Sequence, residues 1–137
     1  MKIRYTTNKE ELDYKELGNW KLGDAEAHDK KWYKKLLRNA PIVVVAFDGD
    51  KMVGFVRTFG DDLVWLMIAS LHVHPDYRKK GIATGLLKRV EQFAQKNKYQ
   101  TLRLFAAIDE DPQLKNFYFK NNFEEMDSAM RSTKMPW

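Results

Sequence analysis

Three bases meet a glycine in the stretch His74-Pro75-Asp76-Tyr77-Arg78-Lys79-Lys80-Gly81-Ile82-Ala83-Thr84-Gly85-Leu86-Leu87. An apolar helical period starts behind that glycine, carried by Leu86, Leu87, Val90, Phe93 and Ala94. A helix start exposes unpaired backbone N–H groups and the positive end of the helix dipole, so a merely solvated start favours Asp or Glu. Arg78, Lys79 and Lys80 invert that preference. The chemistry on offer is anion binding, with Gly81 letting a phosphate approach the backbone. The bland alternative is a basic surface turn whose glycine only opens a helix. Neither common nucleotide loop is present, since the chain contains no G-x-x-x-x-G-K-[ST] and no G-x-G-x-x-G.

Other chemistry is narrowed by what the chain lacks. Without Cys there is no thiol nucleophile, disulfide or thiolate metal site. His28, His72 and His74 are too scattered for a dedicated cage, so no metal is expected. No apolar run reaches the roughly 18 residues of a membrane span. Met1-Lys2-Ile3-Arg4-Tyr5 reads as a strand rather than a leader, so a cytoplasmic protein without a membrane partner is expected. The formal charge of +5 suits a polyanionic small ligand, nucleic acid, or nothing in particular. Lys30, Lys31, Lys34, Lys35 and Arg38 fall on one side of a predicted helix and read as a solvated face. The remaining bases are spread over several elements with no reader motif, so no nucleic-acid partner is expected.

The elements that must position the basic corner can be read in order. The 137 residues, 44% of them hydrophobic, suit a single domain spanning 1–137. Lys2 to Thr6 reads as a strand. Asn8 and Glu11 resemble a capping box that opens a short helix ending near Gly18. Asp24 to Asn39 reads as a second helix with Ala25, His28, Trp32, Leu36 and Leu37 near one face, stopped by Pro41. Ile42 to Phe47 is a buried strand, Asp48-Gly49-Asp50 a turn, and Lys51 to Thr58 its hairpin partner. Leu63 to Val73 is the longest strand candidate, apolar without clean alternation and so covered on both faces. After the Gly81 helix, Thr101 to Ala107 is a further strand. Asp111-Pro112 starts a helix on which Leu114, Phe117, Tyr118 and Asn121 share a face, and one or two closing strands are expected from Phe123 onward. The fold class is α/β (α+β): one mixed, twisted sheet of six or seven strands with about four helices on both faces.

Two segments in this order resemble a known family. Val73-x-Pro75-x-x-Arg78-x-x-Gly81-Ile82-Ala83-x-x-Leu86-Leu87 is similar to motif A of the GCN5-related N-acetyltransferases (GNAT), whose hallmark Q/R-x-x-G-x-G/A stands here as Arg78-Lys79-Lys80-Gly81-Ile82-Ala83. Asn116-Phe117-Tyr118-Phe119-Lys120-Asn121-Asn122-Phe123 resembles the family's later segment, and Val53-Gly54-Phe55-Val56 its third strand. The resemblance covers the whole element order. Asn122 departs from the usual Gly, at a position expected to need φ > 0, and Asp111 from the frequent Asn. It implies a GNAT-like acyl-CoA N-acyltransferase fold with acetyl-CoA as cosubstrate. The pyrophosphate would rest on Arg78, Lys79, Lys80, Gly81, Ile82, Ala83 and Thr84. The pantetheine arm would pair with the backbone of Leu71, His72 and Val73, with Phe117 and Tyr118 also against the cofactor.

Acyl transfer from a thioester to an amine requires a neutral amine, a stabilised carbonyl oxygen and a proton for the departing thiolate. Deprotonating a lysine-like amine at neutral pH costs about 4.6 kcal/mol. The resemblance makes Tyr118 the acid; unaided, the residue reads as a core-packed aromatic. Many members carry a Glu ahead of the "L-x-V" strand segment, but here that region reads Ile68-Ala69-Ser70-Leu71-His72-Val73. His72 is then the candidate base because its reference pKa is suitable, against a histidine that merely lines the cleft. Ser70 could only position a water. Trp20, Tyr33 and Trp65, with Phe59, are candidates for the acceptor side, and Trp20 reads equally as a lid or a core anchor. The expected activity is direct acetyl transfer to a small-molecule primary amine. The alternatives are a protein lysine or N-terminal acetyltransferase and a non-catalytic acyl-CoA-binding module. A homodimer is left open.

Overall fold

The computed structural model describes residues 1–21, 26–106, 109–126 and 130–135. They fall into two compact units, Met1–Phe105 and Ala106–Trp137. The first unit holds β1 (Ile3–Thr6), α1 (Tyr14–Trp20), α2 (Lys30–Leu37), β2 (Val43–Asp48), β3 (Lys51–Gly60), β4 (Trp65–Val73), α3 (Ile82–Lys96) and β5 (Thr101–Leu104). Its sheet runs β1-β2-β3-β4-β5. The first four strands are antiparallel, β2 to β4 through short connections and β1 to β2 across the segment that holds α1 and α2. The last strand, β5, lies parallel to β4 because α3 carries the chain back between them.

Alternation along the strands divides the core in two. Val43, Val45, Phe47, Met52 and Phe55 pack with Leu12, Leu17, Tyr33, Leu37 and Ala40 on the α1/α2 face. On the other face α3 sits close because Gly54 has no side chain: a Cβ there would stand 3.0 Å from Ile82 Cγ2 and 3.2 Å from Leu86 Cδ1. Gly85 serves the same end from the helix side, where a Cβ would run into the Tyr5 phenol. The Arg89 guanidinium lies 3.7 Å over the Tyr5 ring and its Nη1 donates to the Gly85 carbonyl, locking the first strand to α3.

The expected helix starts need correction. Asn8 caps only a short 3-10 turn, Lys9–Glu11, and the side chain of Glu11 reaches Arg4 and Thr6 rather than closing a capping box. Asp13 is the residue that caps α1, its Oδ1 accepting from the Glu16 N–H at 3.1 Å. Asp29 caps α2 in the same way through the Trp32 N–H. That helix therefore begins six residues after Asp24, whose own placement, with that of Ala25, lies outside the described residues. Its lysines and Arg38 are exposed, as a solvated face requires.

The second unit is built around α4 (Gln113–Lys120). Asp111 Oδ1 accepts from the Gln113 N–H at 3.1 Å, and Pro112 already has helical dihedrals, so the Asp-Pro start holds. The predicted sheet of six or seven strands is corrected to five among the described residues. Phe123–Met126 forms no strand. Its Phe is followed by two Glu of low strand propensity, and Glu125 is engaged by Lys115 at 3.0 Å. Ala107, at the expected end of the fifth strand, lies outside the described residues.

Candidate functional site

The basic corner is a helix start with nothing capping it. Gly81 precedes α3 with φ +81° and no side-chain cap bond, and the first intrahelical bond is Gly85 N–H to Gly81 C=O at 3.0 Å. The N–H groups of Ile82, Ala83 and Thr84 are thus left without a helical acceptor. A Cβ on Gly81 would meet nothing within 4 Å, so the approach is open. Lys79 also takes a positive φ, +61°, turning the chain sharply into the helix. Lys79, Lys80 and Arg78 are exposed around it. Lys80 and Lys51 lie 5.7 and 5.4 Å over the Tyr77 ring, and the Tyr77 hydroxyl donates to Asp48 at 2.6 Å, fixing this turn to the β2–β3 hairpin.

The strand leading into the corner is irregular in a useful way. β4 pairs with β5 over Trp65–Ile68, and β5 ends at Leu104 opposite Ile68, so β4 runs on to Val73 without pairing to it. Towards β3 the register jumps between Phe55 and Arg57, so that Ser70 and Leu71 together stand opposite Val56. Ser70 adopts φ +53°, and Arg57 Nε donates to its hydroxyl at 3.0 Å. This is a β-bulge, which leaves an extra residue out of the ladder. His74 N–H bonds Val53 C=O at 2.8 Å, so ladder alternation directs the backbone groups of Leu71 and Val73 away from β3, to the edge that β5 does not pair. The Val73 carbonyl accepts from Arg78 Nε at 3.1 Å. Strand edge and helix start therefore belong to one continuous surface, and together they fit a long ligand with an anionic end.

His72 stands opposite Phe55 and so points to the α1/α2 face. The Trp20 indole packs against it, with ring centroids 4.5 Å apart. Trp20 ends α1, where Lys21 takes a left-handed conformation, and Trp20 Nε1 donates to Glu16 Oε1 at 2.9 Å. His72 Nε2 is buried without a hydrogen-bond partner. Burial first, then the positive charges of Arg78 and His74, lower its pKa from 6.5 to about 4, opposed by Glu16. The expectation that a histidine of ordinary pKa would supply the base is thereby corrected: this ring is neutral at pH 7 but a weak proton acceptor.

The other acceptor-side candidates are not gathered there. Tyr33 is fully buried in the core, with its hydroxyl donating to the Leu17 carbonyl at 3.4 Å. Its place at four residues before Leu37 was the signal for a core position. Trp65 lies at the start of β4, seven residues before His72 and so about 20 Å along the strand. It is 41% exposed beneath the Arg103 guanidinium, 4.1 Å from its ring. Phe59 is exposed as well. What the sequence reading missed is Glu16, whose signal was the four-residue spacing to Trp20 on one helix.

Phe117 and Tyr118 belong to the second unit. There the end of α4 explains the "Y-x-K-x-N-F" spacing. Phe123 N–H bonds Tyr118 C=O at 3.0 Å, and Asn122 N–H bonds Phe119 C=O at 3.4 Å. Asn122 takes φ +69° where a Gly is usual. This is a Schellman cap, and its usual apolar contact is the Phe123 ring packed edge-on against Tyr118 at 5.7 Å. Leu114, Phe117, Tyr118 and Asn121 are the less exposed positions of the helix, as their spacing predicts. Burial raises the Tyr118 pKa, so the phenol keeps its proton through neutral pH.

Among the described residues no group of three or more His, Asp or Glu could hold a metal ion, and no helix is long and apolar enough to cross a membrane.

No curated protein matches the chain significantly. Solved structures do. A GNAT-family acetyltransferase from Streptococcus pneumoniae has 19% identity and a TM-score of 0.74, with 98% of each chain covered. AAC(6')-Iy, solved with the bisubstrate analog CoA-S-monomethyl-acetylneamine, has 13% identity and a TM-score of 0.77, covering 98% of this chain and 99% of its own. Aminoglycoside antibiotic 6'-N-acetyltransferase AAC(6')-Ih from Acinetobacter baumannii has 17% identity and a TM-score of 0.69, with 98% and 99% covered. At such identities these similarities establish the fold. The model of the Acetyltransferase (GNAT) family matches residues 6–123. With the uncapped glycine start of α3, the unpaired end of β4 beyond Ile68 and the Tyr118 cap all lying inside that span, the chain belongs to the GNAT acetyltransferase family.

Proposed function

We propose that the protein is an acetyl-CoA-dependent N-acetyltransferase acting on a primary amine of a small molecule. The observation that carries this reading is the open, uncapped start of α3 at Gly81, continuous with the β4 edge that β5 does not pair beyond Ile68. Backbone N–H groups from Lys79 to Thr84 hold the pyrophosphate, with Arg78, Lys79 and Lys80 supplying charge. The backbone of Leu71, His72 and Val73 pairs with the pantetheine arm as a further strand would. Bound there, acetyl-CoA supplies an acetyl group on a thioester.

The rest falls to the chain's own side chains. His72 is neutral at pH 7, so its Nε2 lone pair accepts an N–H of the incoming amine and orients the nitrogen. A conjugate acid of about 4 makes it a hydrogen-bond acceptor that orients the nitrogen rather than a store for its proton, which the nitrogen releases to solvent once the new N–C bond has formed. Trp20 covers His72 and takes the acceptor's apolar part. Tyr118 takes its role, the proton for the leaving sulfur, from the family segment in which it stands. Its raised pKa restricts that transfer to a desolvated thiolate, more basic than the about 8.5 of a free thiol. The test is calorimetric titration with acetyl-CoA, followed by an amine and peptide panel read by thiol release. Binding with acetylation of small amines is expected. No acetyl-CoA binding overturns the reading, and a preference for peptides replaces its acceptor.

A further inference from the structure

β4 brings no carboxylate to His72, yet the structure places one near it from another element. Glu16 sits on α1, one turn before Trp20, and its Oε1 accepts the Trp20 indole N–H at 2.9 Å. The same indole packs on His72 at 4.5 Å, so Glu16, Trp20 and His72 form a row running from helix to strand. Glu16 is close enough for its charge to be felt at His72.

Two features make this more than a surface helix pair. Glu16 is partly buried, and among the described residues it has no basic partner at salt-bridge distance, in a chain with 24 basic against 19 acidic side chains. A carboxylate has about four acceptor sites and the indole uses one. Beside it, His72 Nε2 is a buried ring nitrogen with no hydrogen-bond partner. With the tautomer that leaves Nε2 unprotonated, the row has a carboxylate without a basic partner among the described residues at one end and a neutral acceptor at the other. Bridged by an aromatic face, it suits a ligand with donors at both ends. The two ends also ask for different protonation states. The reacting nitrogen must be neutral where it meets His72, whereas a carboxylate holds a nitrogen protonated.

We propose that Glu16 is a specificity-determining residue that binds a second, cationic group of the acceptor, so that the enzyme prefers di- or polyamines over monoamines. The inference rests on the acetyltransferase reading and deepens it. The indole face between the two ends suits the aliphatic segment or the cation of such an acceptor.

Glu16→Gln tests it, because the amide oxygen still accepts the Trp20 N–H while the charge is lost. Probes are α,ω-diaminoalkanes of three to six carbons and the matched monoalkylamines, with acetyl-CoA saturating and thiol release as readout. Wild type is expected to favour the best diamine over its monoamine by about tenfold or more in kcat/KM, the worth of one charged hydrogen bond. In Glu16→Gln the diamine KM rises by about tenfold with kcat nearly unchanged, while the monoamine KM and the acetyl-CoA KM stay put. Equal KM for the diamine in both proteins overturns the proposal, as does an equal loss on both acceptors, or acetyl-CoA binding with no diamine acetylated. Absence of acetyl-CoA binding by calorimetry overturns the acetyltransferase reading as well, which separates the two failures.

Discussion

His72 gives the sharpest physical test, because its ionisation is tied to folding. In the unfolded chain the ring takes a proton near 6.5, and in the folded protein only near 4, chiefly because it is buried. Between those values the unfolded state holds more protons, so stability must fall as pH drops from about 6.5 towards about 4. Above that window the contribution is fully present, and below it nothing further is lost. A difference of about 2.5 in pKa is worth about 3.4 kcal/mol at full strength. The ring is only half-buried, and solvent screening brings the expected figure to about 1–2 kcal/mol. The perturbation is His72→Gln, which cannot titrate. Urea unfolding of both proteins at pH 7 and pH 4, followed by far-ultraviolet circular dichroism, cancels the carboxylates common to the two. Wild type should lose about 1–2 kcal/mol more than the variant over that interval. Imidazole resonances followed by NMR should place His72 well below the ordinary 6.5. Parallel stability curves, or a His72 resonance titrating above 6, would refute the buried, neutral ring and with it the assigned role in the cleft. The same reasoning removes His72 from any limb near pH 6–7 in the rate profile.

Other substitutions reach the remaining parts of the site. Gly81→Glu should weaken acetyl-CoA binding by at least about tenfold in calorimetry, since it sets a carboxylate on the uncapped helix start. Gly81→Asn, which tolerates the positive φ, is the folding control, and unchanged affinity in Gly81→Glu sinks the assignment of this corner. Tyr118→Phe should lower kcat by about tenfold or more with acetyl-CoA affinity nearly unaltered, as loss of a general acid does; full turnover removes the phenol from the chemistry. Gly85→Ala forces a methyl into the Tyr5 phenol, with Cζ only 2.6 Å away, and should cost about 1–3 kcal/mol in denaturant melts. Tyr5→Leu in the same background should recover part of that loss, and no recovery would refute the contact as its cause.

Much of the scaffold was legible because short-range rules dictate it. The apolar run Ile42 to Phe47, the Asp48-Gly49-Asp50 turn and the α3 period each depend on neighbours within a few residues, and each reappears within one or two residues of its expected bounds. Asn122 taking the left-handed conformation was likewise foreseeable, since a helix end before Phe123 needs it. The N-terminal helix was misplaced because Asn8 and Asp13 are both competent caps, and the choice fell to Arg4 and Thr6, which engage Glu11 on the surface. Tyr33 was misassigned because an amphipathic ring reads alike for a core and a cleft until its surroundings are known.

The sequence by itself determined the proposed donor side: a glycine in positive φ, a helix behind it and basic residues before it lie within one contiguous stretch, and their chemistry is local. Tertiary structure decided the proposed acceptor side. Glu16 and Trp20 lie one turn apart on α1, but His72 is distant along the chain and meets them only because α1 packs on the sheet face to which His72 points. The burial that keeps His72 neutral arises from that packing, so the unfolded ring keeps an ordinary pKa and nothing in the sequence of β4 could reveal the shift.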